Sequence, residues 1–176
     1  MKRSSRGYQF SGSYSATKLV GGLGPNTAFG PVDNPNAEIN AAADFWEWQV
    51  KANGSYQMAW GLTAAASWEL RSGDPYARTV RVTGGRTISN FTMPVESRDA
   101  NRLPKHTLLD ARVSKTVNLW SRTRLDLQLN IYNVLNANTV QAVQTRSGST
   151  YGQPIDSGGT TILPPRIMQV GAVFRF

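Results

Sequence analysis

The chain has 176 residues, a length suited to one domain, and 40% of them are hydrophobic, yet no apolar run approaches the ~20 residues of a transmembrane helix. Its formal charge of +8, from 19 Lys and Arg against 11 Asp and Glu, is spread over every segment without a basic run or helical stripe, which argues against a nucleic-acid surface. There is no cysteine, so no thiol chemistry is available, although this decides little about compartment.

The first residues, Met1-Lys2-Arg3, are followed by Ser4-Ser5-Arg6 where an apolar export core would stand, so no export signal is read here. The strand pattern that follows favours the tail of a longer exported polypeptide over a cytosolic protein. Over residues 8–17, Tyr8, Phe10, Gly12, Tyr14 and Ala16 alternate with Gln9, Ser11, Ser13, Ser15 and Thr17, which predicts a strand with one apolar face. A Gly/Pro/Asn-rich connection over 20–43 leads to a second strand, where Trp46, Trp48, Val50, Ala52, Gly54, Tyr56 and Met58 alternate with polar residues. Ala59-Trp60-Gly61 reverses the chain, and a third strand places Leu62, Ala64, Ala66, Trp68 and Leu70 on one side. A loop over 72–104 carries turn formers at Asp74-Pro75, Gly84-Gly85 and Leu103-Pro104. The fourth strand shows Leu109, Ala111, Val113 and Val117 against Asp110, Arg112, Ser114 and Thr116. After a brief reversal over 118–122, Leu125, Leu127, Leu129 and Ile131 alternate with Asp126, Gln128, Asn130 and Tyr132. A third long loop, 135–163, precedes a last strand over 164–176, whose even positions are mostly apolar and which ends on Phe176.

Long and short connections therefore take turns, as in an all-β, antiparallel up-and-down transmembrane barrel with short periplasmic turns and long extracellular loops. Ten to twelve residues per strand, at ~3.4 Å each and ~40° of tilt, rise roughly 26–31 Å, enough for a ~25 Å apolar band. Six strands alone would close to a cylinder only about 12 Å across, too narrow for inward Glu, Lys and Arg, and open edges in lipid leave backbone groups unpaired. Further strands are expected upstream.

On this reading Trp46, Trp48 and Trp68 lie near the outer strand ends, and Tyr8, Phe10, Tyr56, Phe174 and Phe176 near the periplasmic ends, as an interfacial aromatic girdle. Trp60 and Trp120 fall in the two short turns. A terminal aromatic on such a strand resembles the signal by which the outer-membrane assembly machinery recognises its clients, expected here at Val170, Phe174 and Phe176. Glu47, Lys51, Glu69, Arg71, Asp110, Arg112, Asp126 and Arg175 face the lumen, with Lys51 opposing Glu69 or Glu47 opposing Arg71, and Arg112 opposing Asp126. Lys115 lands on the lipid face near a turn, where its ammonium can snorkel to the interface.

Enzyme chemistry finds little support. His106 is the single histidine, and although Asp110 shares its face, no serine sits in a nucleophile elbow. Gly84-Gly85 and Gly158-Gly159 lack the Lys-Ser/Thr of a phosphate loop. No catalytic residue, cofactor or metal is assigned.

The stretches LDARVSKTVNLWSRTRLDLQLNIYNVLNANTV, FWEWQVKANGSYQMAWGLTAAASWELRSGDPYARTV and LPPRIMQVGAVFRF together resemble the carboxyl-terminal strands of a TonB-dependent outer-membrane receptor. The nearest likeness is to the Oar-like group, which carries a carboxypeptidase-regulatory-like domain. The resemblance implies a 22-stranded barrel with a plug, energised through the TonB complex, taking up ligands such as iron chelates, cobalamin, oligosaccharides or peptides. Plug, amino-terminal domains and upstream strands are missing from this chain, so no ligand residue is carried over. The expected setting is the outer membrane of a Gram-negative bacterium, with lipid and the missing strands and plug as partners and no nucleic acid. A free-standing barrel or adhesin that closes by oligomerising and a soluble β-sandwich binding module remain as alternatives.

Overall fold

The computed structural model describes residues 7–21, 40, 42–84, 90–120, 123–155 and 161–176. The start of the chain at Met1-Lys2-Arg3, most of the 20–43 connection, Gly85, the last residues of the 118–122 reversal and Gly158-Gly159 lie outside them. The described residues form antiparallel β-structure with no α-helix. Six strands make one sheet: β1 (Tyr8–Gly21), β2 (Ala43–Gln57), β3 (Leu62–Arg71), β8 (His106–Trp120), β9 (Thr123–Tyr132) and β10 (Ile167–Arg175), in that spatial order. The 72–104 segment, expected as loop, holds four short strands of its own. These are β4 (Pro75–Tyr76) paired with β7 (Asn101–Arg102), and β5 (Thr79–Thr83) paired with β6 (Asn90–Pro94). The large sheet is not closed on itself: β1 and β10 are its two edges.

Register follows from the two-residue pattern, because a slip of one residue would turn every apolar side chain to the wrong face. One row across the sheet runs Phe10, Gly54, Ala66, Ala111, Ile131, Met168; another runs Tyr56, Ala64, Val113, Leu129, Val170. The apolar face is therefore continuous over all six strands. Its charged strand residues stand only at the margins, Lys18 and Asp44 as an ion pair of 2.8 Å at the loop end and Lys115 near the short turns. Among the described residues no layer packs on this face. Val170 is 80% exposed and Phe174 54%, whereas the buried hydrophobic residues Ala43, Phe45, Ala77 and Leu163 belong to the loop end of the molecule.

The turn between β2 and β3 is a single 3-10 turn, Ala59–Gly61, with Trp60 at φ 62° and Gly61 at φ 72°. Gly61 is required twice over: its φ is left-handed, and a Cβ would stand 2.8 Å from the Thr116 carbonyl of β8. Lys115 donates from its ammonium to the Trp60 carbonyl, so the one charge on this part of the apolar face reaches a backbone acceptor in the turn. Between β8 and β9 a register shift separates Asn118 from Trp120. Trp120 is thereby the last residue of β8, paired with Thr123, and not a turn residue as expected. Trp68 also differs from expectation. It lies opposite Ala52, four positions down β2 from Trp48, a drop of roughly 13 Å along the strand that takes it out of the belt of Trp46 and Trp48.

Candidate functional site

The polar face is the concave one. Gln9, Asn53, Ser67, Asp110, Arg112 and Asn130, drawn from five strands, line a trough of about 410 Å3. Of the ion pairs expected across this face, Lys51 and Glu69 do oppose each other, with Nζ 3.6 Å from Oε2, and Gln49 donates to Oε1 of the same carboxylate at 2.7 Å. Glu47 does not meet Arg71, because Arg71 stands opposite Gln49 and instead lies 3.9 Å from Asp74. Arg112 does not meet Asp126 either, since the shifted β8–β9 register sets Arg112 against Asn130. Asp126 accepts a hydrogen bond of 2.6 Å from Thr116 and pairs with Arg175 at 3.3 Å. Arg112 is exposed, with no side-chain partner among the described residues, so the middle of the trough presents a free guanidinium.

At the loop end of the sheet the long connections fold into a loop body. Residues 145–147 join the outer side of β5 by a single parallel bridge, Thr79 to Arg146: Thr79 donates its N–H to Thr145 at 2.8 Å, and Ser147 donates to the Thr79 carbonyl at 2.7 Å. Tyr151 of the 133–166 segment inserts into a cradle made by the 72–105 segment. The Arg78 guanidinium carbon lies 4.5 Å from its ring centroid, and Asn101 donates to its hydroxyl at 3.3 Å. Glu96 holds the cradle together, with Oε1 3.4 Å from Arg78 Nε and Oε2 accepting from Asn101 at 3.0 Å. Arg102 ties this body to the sheet by donating to the carbonyls of Trp46 at 2.8 Å and Gly73 at 3.1 Å. Gly73 itself is packed so closely on Leu103 that any Cβ would fall 1.7 Å from the Leu103 carbonyl oxygen, which only glycine escapes.

The second long segment is pinned at its root by Asn133, which the alternation could not single out because it lies just past the end of β9. It is 3% exposed at φ 51°, a left-handed conformation that asparagine tolerates better than most residues. Its N–H goes to Asp110 Oδ1 at 2.9 Å. Its side-chain oxygen accepts from the Ala137 N–H at 2.8 Å, and its amide donates to the carbonyls of Ala137 at 2.8 Å and Pro164 at 2.7 Å. Asn136, at the same φ of 51°, accepts from the Arg166 N–H at 3.0 Å. The available signal was the paired Asn of NVLN, a spacing that suits two left-handed turn residues.

His106 opens β8 opposite Arg71, buried, with an Nδ1 that has no hydrogen-bond partner. Burial, and next the Arg71 guanidinium, hold the imidazole below its ordinary value, against the smaller opposing pull of Glu69 and Asp74. Asp110 accepts from the Asn133 N–H, and among the described residues no hydrogen bond joins it to His106, so the two do not make an acid–base pair. Among the described residues no group of three or more His, Asp or Glu is placed to hold a metal ion.

The terminal triad sits on the apolar face, with the Phe174 and Phe176 rings 6.2 Å apart and Phe176 98% exposed. Tyr56 lies opposite Tyr8 at the short-turn end of the same face, whereas Trp46 and Trp48 stand at the loop end. No protein-family model, curated protein or solved structure matches the chain.

Proposed function

We propose that the chain is a wall segment of an outer-membrane β-barrel of the TonB-dependent transporter kind, taking part in energy-coupled uptake of a large ligand. The observation that carries this reading is the uncovered apolar face that crosses all six strands on the convex side, while the ionisable residues of the mid-sheet lie on the concave side. A soluble sandwich buries its apolar faces between two sheets, and here no second layer exists among the described residues. At a rise of about 2.6 Å per tilted residue, a ~25 Å apolar band takes about ten residues of a strand. In β8 these are 109–118, which leaves His106 and the loop body beyond the band and Lys115 close enough to its other margin to snorkel.

In this arrangement each part has a physical task. The convex face replaces lipid-exposed backbone by a fully hydrogen-bonded wall, and the edges of β1 and β10 pair with strands outside this chain, since unpaired edges are prohibitive in hydrocarbon. The concave face, with Arg112 free, meets whatever fills the lumen, the plug in the family it resembles. The loop body presents residues to an arriving ligand. Val170, Phe174 and Phe176 form the sequence read by the assembly machinery, and Trp46, Trp48, Tyr56 and the terminal phenylalanines sit at headgroup level.

Produced with an appended export signal in a Gram-negative host, the chain is expected in the outer-membrane fraction and resistant to urea extraction. Recovery in the soluble periplasmic fraction contradicts the membrane reading. The transporter half is tested by the coding sequence upstream of Met1, where a continuous frame for a plug and further strands is expected and an in-frame stop contradicts it.

A further inference from the structure

The β5–β6 hairpin of the loop body has one apolar and one polar, basic side. In the β5–β6 hairpin, Val80, Val82, Phe91 and Met93 share one side by register, and Thr79, Arg81, Thr83, Thr92 and Asn90 share the other. Thr79 is bridged in parallel to Arg146, and bridged residues point to the same side of a sheet, so Arg146 joins Arg81 on the polar side. From strand spacing and rise their Cα atoms lie about 8 Å apart, near enough for two long arginine side chains to converge on one group. Both residues are exposed, and neither guanidinium has a partner among the described residues. The acid of the neighbourhood, Glu96, is already committed to Arg78 and Asn101. Like charges on neighbouring segments repel, and an anion between them relieves that repulsion. Guanidinium forks match oxyanions in shape as well as charge, and the flanking threonine hydroxyls supply further donors.

We propose that this face of the loop body is an oxyanion site, in which Arg81 and Arg146 together hold a phosphoryl group. The chemistry is shared by a free phosphorylated ligand and by a phospholipid headgroup. The inference rests on the transporter reading only in making the bound molecule cargo; the binding itself needs the loop body alone.

The test uses the full chain folded in zwitterionic detergent, with circular dichroism as an independent check of folding and vesicle insertion scored separately, so failure of the membrane reading is seen apart from failure of the site. Pyrophosphate is titrated by calorimetry in one arm. In the other, binding to vesicles of phosphatidylglycerol and phosphatidylcholine is compared with binding to phosphatidylcholine alone. The double variant R81Q/R146Q is expected to weaken binding by at least about tenfold. The charge-matched R98Q/R166Q, which removes two exposed arginines that belong neither to β5 or β6 nor to the segment bridged to Thr79, is expected to weaken it by less than about twofold. Selective loss in the pyrophosphate arm identifies a free ligand, and selective loss confined to the phosphatidylglycerol arm identifies a headgroup; both support the site. No saturable binding in either arm, or equal losses in the two double variants, overturns it.

Discussion

The six-stranded wall and the loop body beside it are held together in opposite ways. In the wall, order comes from the backbone ladder, and among the described residues no second layer covers the apolar face; Val170 and Phe174 are largely exposed. In the loop body, backbone pairing is short and order comes from side chains that span long sequence distances, Asn133 to Pro164, Asn101 to Tyr151 and Arg102 to Trp46. A wall built this way depends on what surrounds it, whereas a body built that way carries its own constraints. Substitutions should therefore act through the solvent in the first region and through lost hydrogen bonds in the second.

The largest effect is expected for Leu129→Arg, which puts a charge in the middle of the apolar face. It should cost about 2–4 kcal/mol of stability in lipid vesicles, read from guanidinium unfolding, while Gln128→Arg on the concave face should cost little. Equal costs at the two positions would erase the distinction between the faces. Next comes Asn133→Ala. It leaves the Ala137 N–H and the Pro164 carbonyl without their partner in a buried site, at about 1–3 kcal/mol, and should speed amide exchange across residues 133–166 while leaving β1 to β3 unchanged. Exchange that rises uniformly would mean the two regions are not separately held. Tyr151→Ala removes the stacking surface of the exposed Arg78, worth about 0.5–1 kcal/mol, and should loosen the joint between the two long segments without moving the wall's unfolding midpoint.

The smallest effect is a pH dependence. The His106 imidazole is held below its ordinary value when folded, so the unfolded chain binds the proton more readily. The stability tied to His106 is full above about pH 6.5 and is lost as the pH falls from there toward the lower folded value. His106→Gln should flatten that slope, and an unchanged slope would remove His106 from the joint between β8 and the 72–104 segment.

The sequence made the wall legible because a strand's faces are written locally: β3 runs over the residues its alternation marks, and five other strands differ from expectation only at their ends. Register was legible only in part. Lys51 does oppose Glu69, yet the place of Arg112 depends on how the β8–β9 reversal takes up an extra residue between Asn118 and Trp120, and alternation carries no sign of that. The same shift brought Trp120 into the strand. Trp68 was misplaced although the turn below it falls where expected: Trp68 and Ala52 each lie eight residues from Trp60, whereas Trp48 lies twelve, so apolar alternation marks the face of Trp68 but not its height. The loop body was least legible. Its small sheets, and the meeting of Arg81 with Arg146, arise from contacts between segments far apart in the chain, which no periodicity reports.

The central claim, that one face of this sheet belongs to hydrocarbon and the other to water, is tested most directly along β9. The chain has no cysteine of its own, so nitroxide labels can be attached at single cysteines introduced one at a time from Leu125 to Ile131 in vesicle-inserted protein. Odd positions should favour collisions with oxygen dissolved in the lipid, and even positions collisions with a water-soluble nickel complex, alternating at every step. Labels that are uniformly shielded, or uniformly open to the aqueous reagent, would contradict the account.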